Sequence, residues 1–293
     1  MSHLRSLLFV PGDSERKQVK ALASEADALI LDLEDSVAAS QLPAARGRVA
    51  EVLSAHPSRE RQQLWVRVNP LSSGLLLDDL VAVMAGRPDG LVLPKVSSVA
   101  EVAQIGHYLA ALEASAGRTV GSTRLIVIAT ETPRALLTLD GYSASPEARL
   151  EALTWGSEDL GAALGSSEKY EANGSSFTAP FELARSLCLV AARAAGVQPI
   201  DSVYADFKNS AGFEGECARA RRDGFTGKLA IHPDQIGPIN LAFSPTAAEL
   251  ERARRIVAAF EASPSAGVLS LDGQMIDRPH LVHAQRLVES AGR

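Results

Sequence analysis

Residues Arg124-Leu-Ile-Val-Ile-Ala-Thr-Glu131-Thr-Pro133 form an unbroken apolar run that leads directly into a carboxylate. A continuous run of Leu, Ile and Val without polar alternation is typical of a strand buried on both faces, as in a parallel sheet. We therefore expect Glu131 to stand at the carboxyl end of such a strand. The same pattern returns at Leu153-Thr-Trp-Gly-Ser-Glu158-Asp159, one strand–helix unit further along the chain.

Six more apolar stretches of this kind occur along the chain, mostly separated by segments with helical periodicity. They span residues 5–10, 28–35, 64–70, 90–95, 199–204 and 227–233. The helical segments span residues 14–22, 43–52, 75–84, 99–112, 181–195 and 214–222. Strands that alternate with helices predict a parallel sheet, and eight such units predict an α/β fold closed into a (β/α)8 TIM barrel. The glycine-rich and Walker A sequences of the nucleotide-binding doubly wound folds do not occur, which counts against those folds.

The C-terminal part of the chain exceeds what eight units need. Helical periodicity continues at 246–260, and a Pro/Ser/Gly-rich break at 263–267 precedes residues 269–293. We predict a barrel catalytic domain over residues 1–245 and a C-terminal helix with an arm or lid over residues 246–293. The polar loop 166–176 lies on the side of the acidic strand ends, and loops of this kind are mobile crossings or active-site lids.

Composition excludes several classes of partner. The 293-residue chain is 46% hydrophobic and 22% charged, with a net charge of −6. An acidic protein lacks the basic patch that nucleic acid requires, and the charge also argues against an anionic membrane surface. No apolar run is long enough to span a bilayer, and the N-terminus has no signal-peptide core. Cys188 and Cys217 lie in helix-like contexts, so we expect a reducing, cytoplasmic location.

Ionisable residues cluster at one end of the predicted strands. Charges in buried strands are costly unless paired or ligated, and the carboxyl ends of barrel strands carry the catalytic groups. The residues at those ends are Asp32, Glu34, Asp35, Arg67, Asn69, Lys95, Glu131, Glu158, Asp159 and His232. Strand beginnings carry only Arg5, Arg124 and Lys228. The sequence therefore predicts a functional site at the carboxyl mouth of the barrel.

Two carboxylates from adjacent strands suit Mg²⁺, which takes few protein oxygens and keeps several waters. The alternative for each carboxylate is that it caps the helix that follows it. An arginine beside such an ion can hold a carboxylate or an enolate oxygen, and the combination suits cleavage of a carbon–carbon bond next to a carbonyl. Lys95 leaves a Schiff-base aldolase open, with a salt bridge to the acids as the alternative. His232 is either catalytic or a packed loop histidine.

Seven segments, in order across almost the whole chain, carry a resemblance to a known family. They are Arg5-Ser-Leu-Leu-Phe-Val-Pro-Gly12, Leu31-Asp-Leu-Glu-Asp-Ser-Val37, Val66-Arg-Val-Asn69, Leu93-Pro-Lys95, Gly156-Ser-Glu-Asp159, Gly227-Lys-Leu-Ala-Ile-His-Pro233 and Asp272-Gly-Gln-Met-Ile-Asp277. Together they resemble the citrate lyase β-subunit-like family of the HpcH/HpaI aldolase group. The resemblance implies a (β/α)8 barrel, Mg²⁺ and a coenzyme A thioester of a hydroxy acid as substrate or product, as in malyl-CoA and citramalyl-CoA lyases.

The resemblance also implies residue roles. Glu131 and Asp159 become the Mg²⁺ ligands, and Arg67 becomes the residue that binds the oxyanion and the substrate carboxylate. Asp277 resembles the family's acid/base aspartate, which relatives contribute from the C-terminal arm of a neighbouring subunit. This implies a homo-oligomer, either a trimer or a hexamer. The alternative is that the tail packs on its own barrel and Asp277 only caps the helix 279–288.

Further residues are expected to support the site without contacting the reacting atoms. They are Asp32, Glu34, Lys95 and His232. The acids among them would orient Arg67, Lys95 or waters on the metal. Arg16, Lys17 and Lys228 are candidates for the coenzyme A phosphates, with solvated helix charges as the alternative.

The sequence departs from the family pattern in places that concern the substrate. Pro133-Arg134 replaces a small residue followed by Gly, and Asn209 stands where relatives often carry a second Asp. We predict a Mg²⁺-dependent lyase that splits a 3-hydroxyacyl-CoA-type thioester into a 2-oxo acid and an acetyl thioester. The alternatives are a lyase subunit acting on a substrate bound to acyl carrier protein, a class II aldolase for free pyruvate, and a non-catalytic metabolite-binding subunit.

Overall fold

The structure is a computed structural model that describes residues 3–144, 147–172, 174 and 176–291, with the backbone alone for residues 290 and 291. Met1 and Ser2 of the N-terminal stretch, Asn173 and Ser175 of the polar loop, and residues 292–293 of the predicted arm lie outside it. The chain divides into two compact units, one spanning Leu4–Asn240 and the other beginning at Leu241. The functional boundary between residues 245 and 246 stays a prediction.

Eight parallel strands close into a barrel in sequence order, with the eighth paired to the first. They are β1 (Ser6–Pro11), β2 (Ala28–Asp32), β3 (Gln63–Arg67), β4 (Gly90–Leu93), β5 (Arg124–Ile128), β6 (Leu150–Thr154), β7 (Gln198–Asp201) and β8 (Gly227–Ala230). The predicted (β/α)8 barrel is confirmed.

Helices follow the strands as the periodicity predicts. They are α1 (Glu15–Leu22), α2 (Leu42–Ala55), α3 (Leu76–Met84), α4 (Val99–Ser115), α5 (Pro133–Leu136), α6 (Gly141–Ala144), α7 (Ser157–Leu164), α8 (Ala179–Ala194), α9 (Ser210–Asp223), α10 (Ile236–Phe243), α11 (Ala247–Ala262) and α12 (Arg278–Ala291). The short helices α5, α6, α7 and α10 were given no predicted range, because they are too brief to show a clear apolar period.

The barrel interior is filled by side chains from alternate strand positions, including Leu7, Ile30, Trp65 and Ile126. Trp65 is the largest of them, and it occupies space above Gly90 on the next strand. A Cβ on Gly90 would lie 2.2 Å from the Trp65 ring, so the glycine makes room for the indole. Residues between these positions face outward, and the interior is therefore a packed core of apolar layers.

The strands end earlier than the apolar runs suggested. β2 ends at Asp32, β4 at Leu93, β5 at Ile128 and β8 at Ala230. Glu34, Lys95, Glu131 and His232 therefore lie in the loops just beyond their strands, and Asp159 lies in the first turn of α7. The expectation of strand-end positions was wrong by these few residues, because strand pairing stops where the chain turns toward the following helix.

The C-terminal unit contains a β-hairpin that was not predicted from the sequence. Strands β9 (Val268–Leu271) and β10 (Gln274–Asp277) are antiparallel and are joined by Asp272-Gly273, both with positive φ. An Asp-Gly pair with two positive φ angles is the preferred two-residue hairpin turn. Ile276 packs with Ile256 and Phe260 of α11 in a separate small core. Among the described residues, no helix is both long enough and apolar enough to cross a membrane.

Candidate active site

Arg67, at the end of β3, is held by the carboxylate that ends the neighbouring strand. Its Nε and Nη2 donate to the two oxygens of Asp32 at 2.6 and 2.7 Å, and Nη1 lies 2.9 Å from Glu34 Oε2. The guanidinium also lies 4.8 Å from the Phe9 ring centre. Burial opposes the ionised form of Asp32, but the hydrogen bonds from Arg67 outweigh it and hold the Asp32 pKa below its usual range. The planar fork of Arg67 is thereby fixed, with further N–H groups left for a ligand.

Lys95 adopts a left-handed backbone conformation, with φ of 52°. Its backbone N–H donates to Glu131 Oε2, and its ammonium contacts Glu34, Asp35 at 3.2 Å and Asp159 at 3.3 Å. A left-handed non-glycine residue costs on the order of 1 kcal/mol, and such strain is concentrated at functional sites. In this conformation, Lys95 contacts carboxylates from three segments, namely the loop after β2, the loop after β5 and the first turn of α7.

The Lys95 ammonium is stabilised in its charged form. Burial opposes the charge, but the hydrogen bond to Glu34 and the charges of Glu131 and Asp159 outweigh it and raise the Lys95 pKa. A Schiff base requires a neutral amine, and lysines that form one have a lowered pKa. The salt-bridge alternative is therefore the one found, and the geometry argues against a class I aldolase.

Glu131 is one of the buried acids of the mouth, with 4% of its surface exposed. Burial raises its pKa, and the charges of Asp159 and Glu34 add to the effect, so that the pKa reaches about 8 despite the hydrogen bond from the Lys95 backbone. Five carboxylates, those of Asp32, Glu34, Asp35, Glu131 and Asp159, lie around two cationic groups, the Arg67 guanidinium and the Lys95 ammonium. The site therefore carries more negative than positive charge, and the atoms that could bind a metal are all hard carboxylate oxygens.

This donor set fits Mg²⁺. Within the described ranges, no three His, Cys, Asp or Glu side chains converge as a metal cage. Mg²⁺ does not need such a cage, because it is commonly held by one or two carboxylates while water and substrate fill its other positions. Glu131 and Asp159 are the two that would hold it.

Helix capping does not explain these acids. The N-cap of α5 is Thr132, whose hydroxyl accepts from Ala135 N at 3.1 Å. The N-cap of α7 is Gly156. Of the two acids in the first turn of α7, Glu158 is paired with Lys169 at 2.7 Å, whereas Asp159 contacts Lys95. The cap alternative is therefore wrong for Glu131. Of Glu158 and Asp159, Asp159 is the acid whose charge acts on Glu131.

The sequence profile of the HpcH/HpaI aldolase/citrate lyase family matches residues 5–233. The chain belongs to this family. The predicted family membership is confirmed, and with it the expectation of an enzyme of the lyase class.

Relatives of this HpcH/HpaI aldolase/citrate lyase member align over nearly its whole length. Citrate lyase subunit β of Haemophilus influenzae is 37% identical over 98% of this chain and 96% of its own length. Human mitochondrial citramalyl-CoA lyase is 33% identical over 98% of this chain and 85% of its own. The structure of CitE from Mycobacterium tuberculosis with magnesium, acetoacetate and coenzyme A superposes with a TM-score of 0.77, at 32% identity and 99% coverage of both chains.

Gly156 packs closely against Glu131, a contact that was not predicted from the sequence. Its φ of −112° is open to any residue, but a Cβ there would lie 2.5 Å from Glu131 Cγ and 3.1 Å from Oε1. Its backbone N–H donates to Thr130 Oγ1 at 3.1 Å, which fixes the loop against the Glu131 segment. Gly156 therefore leaves the space that the Glu131 side chain occupies. The signal in the sequence was a glycine two residues before the acidic pair Glu158-Asp159.

His232 is tied to its own loop in this aldolase-family barrel. Its Nδ1 accepts from Asp234 N at 3.3 Å, and its ring stacks on Phe207 with centroids 4.8 Å apart. Its backbone N–H donates to Gln235. These contacts agree with the packed-loop alternative, and a supporting role for His232 stays a prediction.

Other charged candidates are also accounted for. Lys228 is fully buried, with its ammonium 2.7 Å from both Asp201 and Glu216, so its assignment to a coenzyme A phosphate was wrong. Arg16 and Lys17 are exposed on α1, and their assignment stays a prediction. In the C-terminal unit, Asp277 ends β10 and its carboxylate contacts His280.

Proposed function

We propose that the protein is a Mg²⁺-dependent lyase that cleaves a 3-hydroxyacyl-CoA-type thioester into a 2-oxo acid and an acetyl thioester. The observation that carries the proposal is the acidic mouth around Glu131, short of positive charge and adjacent to a fixed arginine. Support also comes from the relatives, since CitE of M. tuberculosis holds magnesium and coenzyme A and the human homologue is a citramalyl-CoA lyase.

Each side chain has a task in this reaction. Glu131 and Asp159 hold the metal, which when bound supplies a Lewis acid for the substrate's oxygens. Arg67 binds the carboxylate or the oxygen on which negative charge develops, and Asp32 and Glu34 keep its fork in place. Lys95 keeps both metal ligands in position through its backbone N–H and its ammonium. A rigid arrangement of this kind avoids reorganisation during the reaction.

Asp277 is the proposed acid, contributed by the arm of a neighbouring subunit in a homo-oligomer. Carbon–carbon cleavage leaves the electron pair on the acetyl thioester as an enolate, and the enolate carbon then takes a proton. An acid carried on an arm that closes the mouth would also keep water away from the enolate. The expected arm, residues 246–293, is proposed to serve this purpose in a trimer or hexamer.

The decisive test is a substrate panel. Purified protein would be mixed with Mg²⁺ and malyl-, citramalyl- or citryl-CoA, and release of the 2-oxo acid and acetyl-CoA would be followed together. We expect equimolar release from at least one thioester, and none from the Glu131→Gln variant. Thioester hydrolysis without 2-oxo acid release, or no reaction with any member, would overturn the proposal.

A parallel set of acyl carrier protein thioesters separates the two classes of carrier. The citrate lyase β-subunit relative favours including a citryl thioester in that set. Faster cleavage of the coenzyme A form supports a free thioester as substrate, and cleavage of the carrier-bound form alone would favour the subunit alternative.

We also propose a cytoplasmic location, supported by Cys188 and Cys217, which are buried free thiols.

A further inference from the structure

Asp277 has a close partner that the proposed reaction has not yet used. The Nδ1 atom of His280 lies 2.5 Å from Asp277 Oδ1, and the side chains of His280 and Asp277 are 48% and 33% exposed, respectively. The backbone N–H of His280 also points to Asp277 Oδ1, at 3.4 Å, and the backbone N–H of Asp277 lies 3.3 Å from His280 Nδ1. A carboxylate only accepts hydrogen bonds, so the 2.5 Å contact requires one proton between the two side chains.

The pair matters because an acid must carry a proton when it acts. The hydrogen bond from His280 lowers the pKa of Asp277, which favours the carboxylate at neutral pH. A lone aspartate in that state has no proton to give to an enolate. Imidazole is the side chain that commonly carries an exchangeable proton near neutrality. Because the Asp277 carboxylate only accepts, the proton of the 2.5 Å contact belongs to the His280 imidazole.

We propose that His280 is a positioning residue for Asp277 and stores the proton that the Asp277 carboxyl group delivers. This inference rests on the proposed function. In the cleavage direction the enolate carbon gains one proton, and the pair passes from carboxylate with imidazolium to carboxylate with neutral imidazole. The substrate hydroxyl loses one proton to solvent as its carbon becomes the ketone, and the imidazole regains one proton from solvent, so the proton transfers balance. In the condensation direction the same pair removes a proton from the acetyl methyl group and stores it on His280.

Charged groups on the elements packed around the pair have other partners. Arg252 and Arg255 of α11 contact Asp272 in the hairpin turn, with the Arg255 contact at 2.5 Å. Arg278 lies over the Phe260 ring and donates to Pro264 O at 2.9 Å. The remaining charged or titratable groups near the start of α12, His283 and Arg286, are exposed on the same helix. His280 is thus the group that acts most strongly on the Asp277 carboxyl.

A structural role must be separated from a proton-storing role, because the Asp277 carboxylate also accepts from the His280 backbone N–H at 3.4 Å and so caps the start of α12. Glutamine at the third helical position supports such a cap without titrating. His280→Gln therefore keeps the cap and removes the stored proton, while His280→Ala removes both. His283→Gln, an exposed histidine on the same helix, is the matched control.

The assay is cleavage of the thioester that proves active in the panel, measured as kcat and KM across pH. For His280→Gln we expect kcat at neutral pH to fall on the order of 10- to 100-fold, at or below the lower end of the range for a general acid. KM should stay unchanged, and the alkaline limb of the kcat profile should move to lower pH. His283→Gln should behave as wild type. Added imidazole should restore part of the kcat that His280→Ala loses.

Two results would overturn the inference. One is a His280→Gln variant with wild-type kcat and an unmoved pH limb, and the other is a His280→Ala variant that imidazole does not rescue. The Asp277→Asn variant distinguishes failure of the inference about His280 from failure of the proposed role of Asp277. If Asp277→Asn abolishes cleavage while His280→Gln does not, Asp277 acts alone and only the present inference falls. If Asp277→Asn cleaves normally, the acid assigned under the proposed function is wrong.

Discussion

Gly156→Ala tests how closely the proposed metal ligand Glu131 packs against Gly156. The new Cβ would lie 2.5 Å from Glu131 Cγ, whereas carbon atoms in contact are normally about 3.5 Å apart. Glu131 or the α7 loop must therefore move by about 1 Å, and a misplacement of that size can cost about 100-fold in rate. Because the φ of −112° suits alanine, the backbone itself is not strained. We expect kcat/KM to fall on the order of 100-fold, with the fold retained.

The assay combines thioester cleavage with Mg²⁺ titration and urea unfolding. Overpacking at this position should cost about 1–3 kcal/mol of unfolding free energy. Gly215→Ala on α9 is the control, because a Cβ there meets no atom within 4 Å in the described part of the chain. It should leave cleavage and Mg²⁺ affinity unchanged. Wild-type cleavage and Mg²⁺ affinity in Gly156→Ala would refute the close fit between Gly156 and Glu131.

Three further predictions concern charge, pH and assembly. Arg67→Lys should lose on the order of 100- to 1000-fold in kcat, because a point charge cannot replace a fork fixed by Asp32; near-normal turnover would make Arg67 structural. Glu131 binds its proton more tightly when folded, with a pKa of about 8, so metal-free protein should lose unfolding free energy as pH rises from about 4.5 toward 8. Urea titrations at several pH values should show a weaker pH dependence of the unfolding free energy in Glu131→Gln and in saturating Mg²⁺. An equal pH dependence would contradict the assignment. Mixed oligomers of inactive Asp277→Ala and inactive Glu131→Ala should partly regain activity, and no recovery after confirmed subunit exchange would exclude a shared site.

Much of the barrel follows from local sequence, because each strand is an apolar run and each long helix shows its period. The placement of Arg67, Glu131 and Asp159 at the carboxyl end of the barrel also follows, since they stand at or shortly after the ends of such runs. The detailed arrangement depends on contacts between distant residues. Lys95 contacts Glu34, 61 positions away in the chain, and no local pattern encodes that pairing.

The choice between Glu158 and Asp159 illustrates the same limit. The two acids are adjacent in sequence, but Glu158 pairs with Lys169 in the following loop, whereas Asp159 contacts Lys95. The role of Gly156 was equally hidden, because it depends on where the Glu131 side chain lies. In contrast, the Asp272-Gly273 turn was visible in the sequence, and the hairpin around it could have been predicted.

The central claim is that Glu131 and Asp159 bind the metal, and calorimetric titration with Mg²⁺ tests it most directly. Wild-type protein is predicted to bind one Mg²⁺ per subunit and to release a proton as Glu131 ionises, which titration in buffers of different ionisation enthalpy would detect. The Glu131→Gln/Asp159→Asn double variant should bind none. A control with two exposed carboxylates removed, Glu15→Gln/Asp78→Asn, should bind as wild type. Unchanged Mg²⁺ affinity in the Glu131/Asp159 double variant would contradict the account.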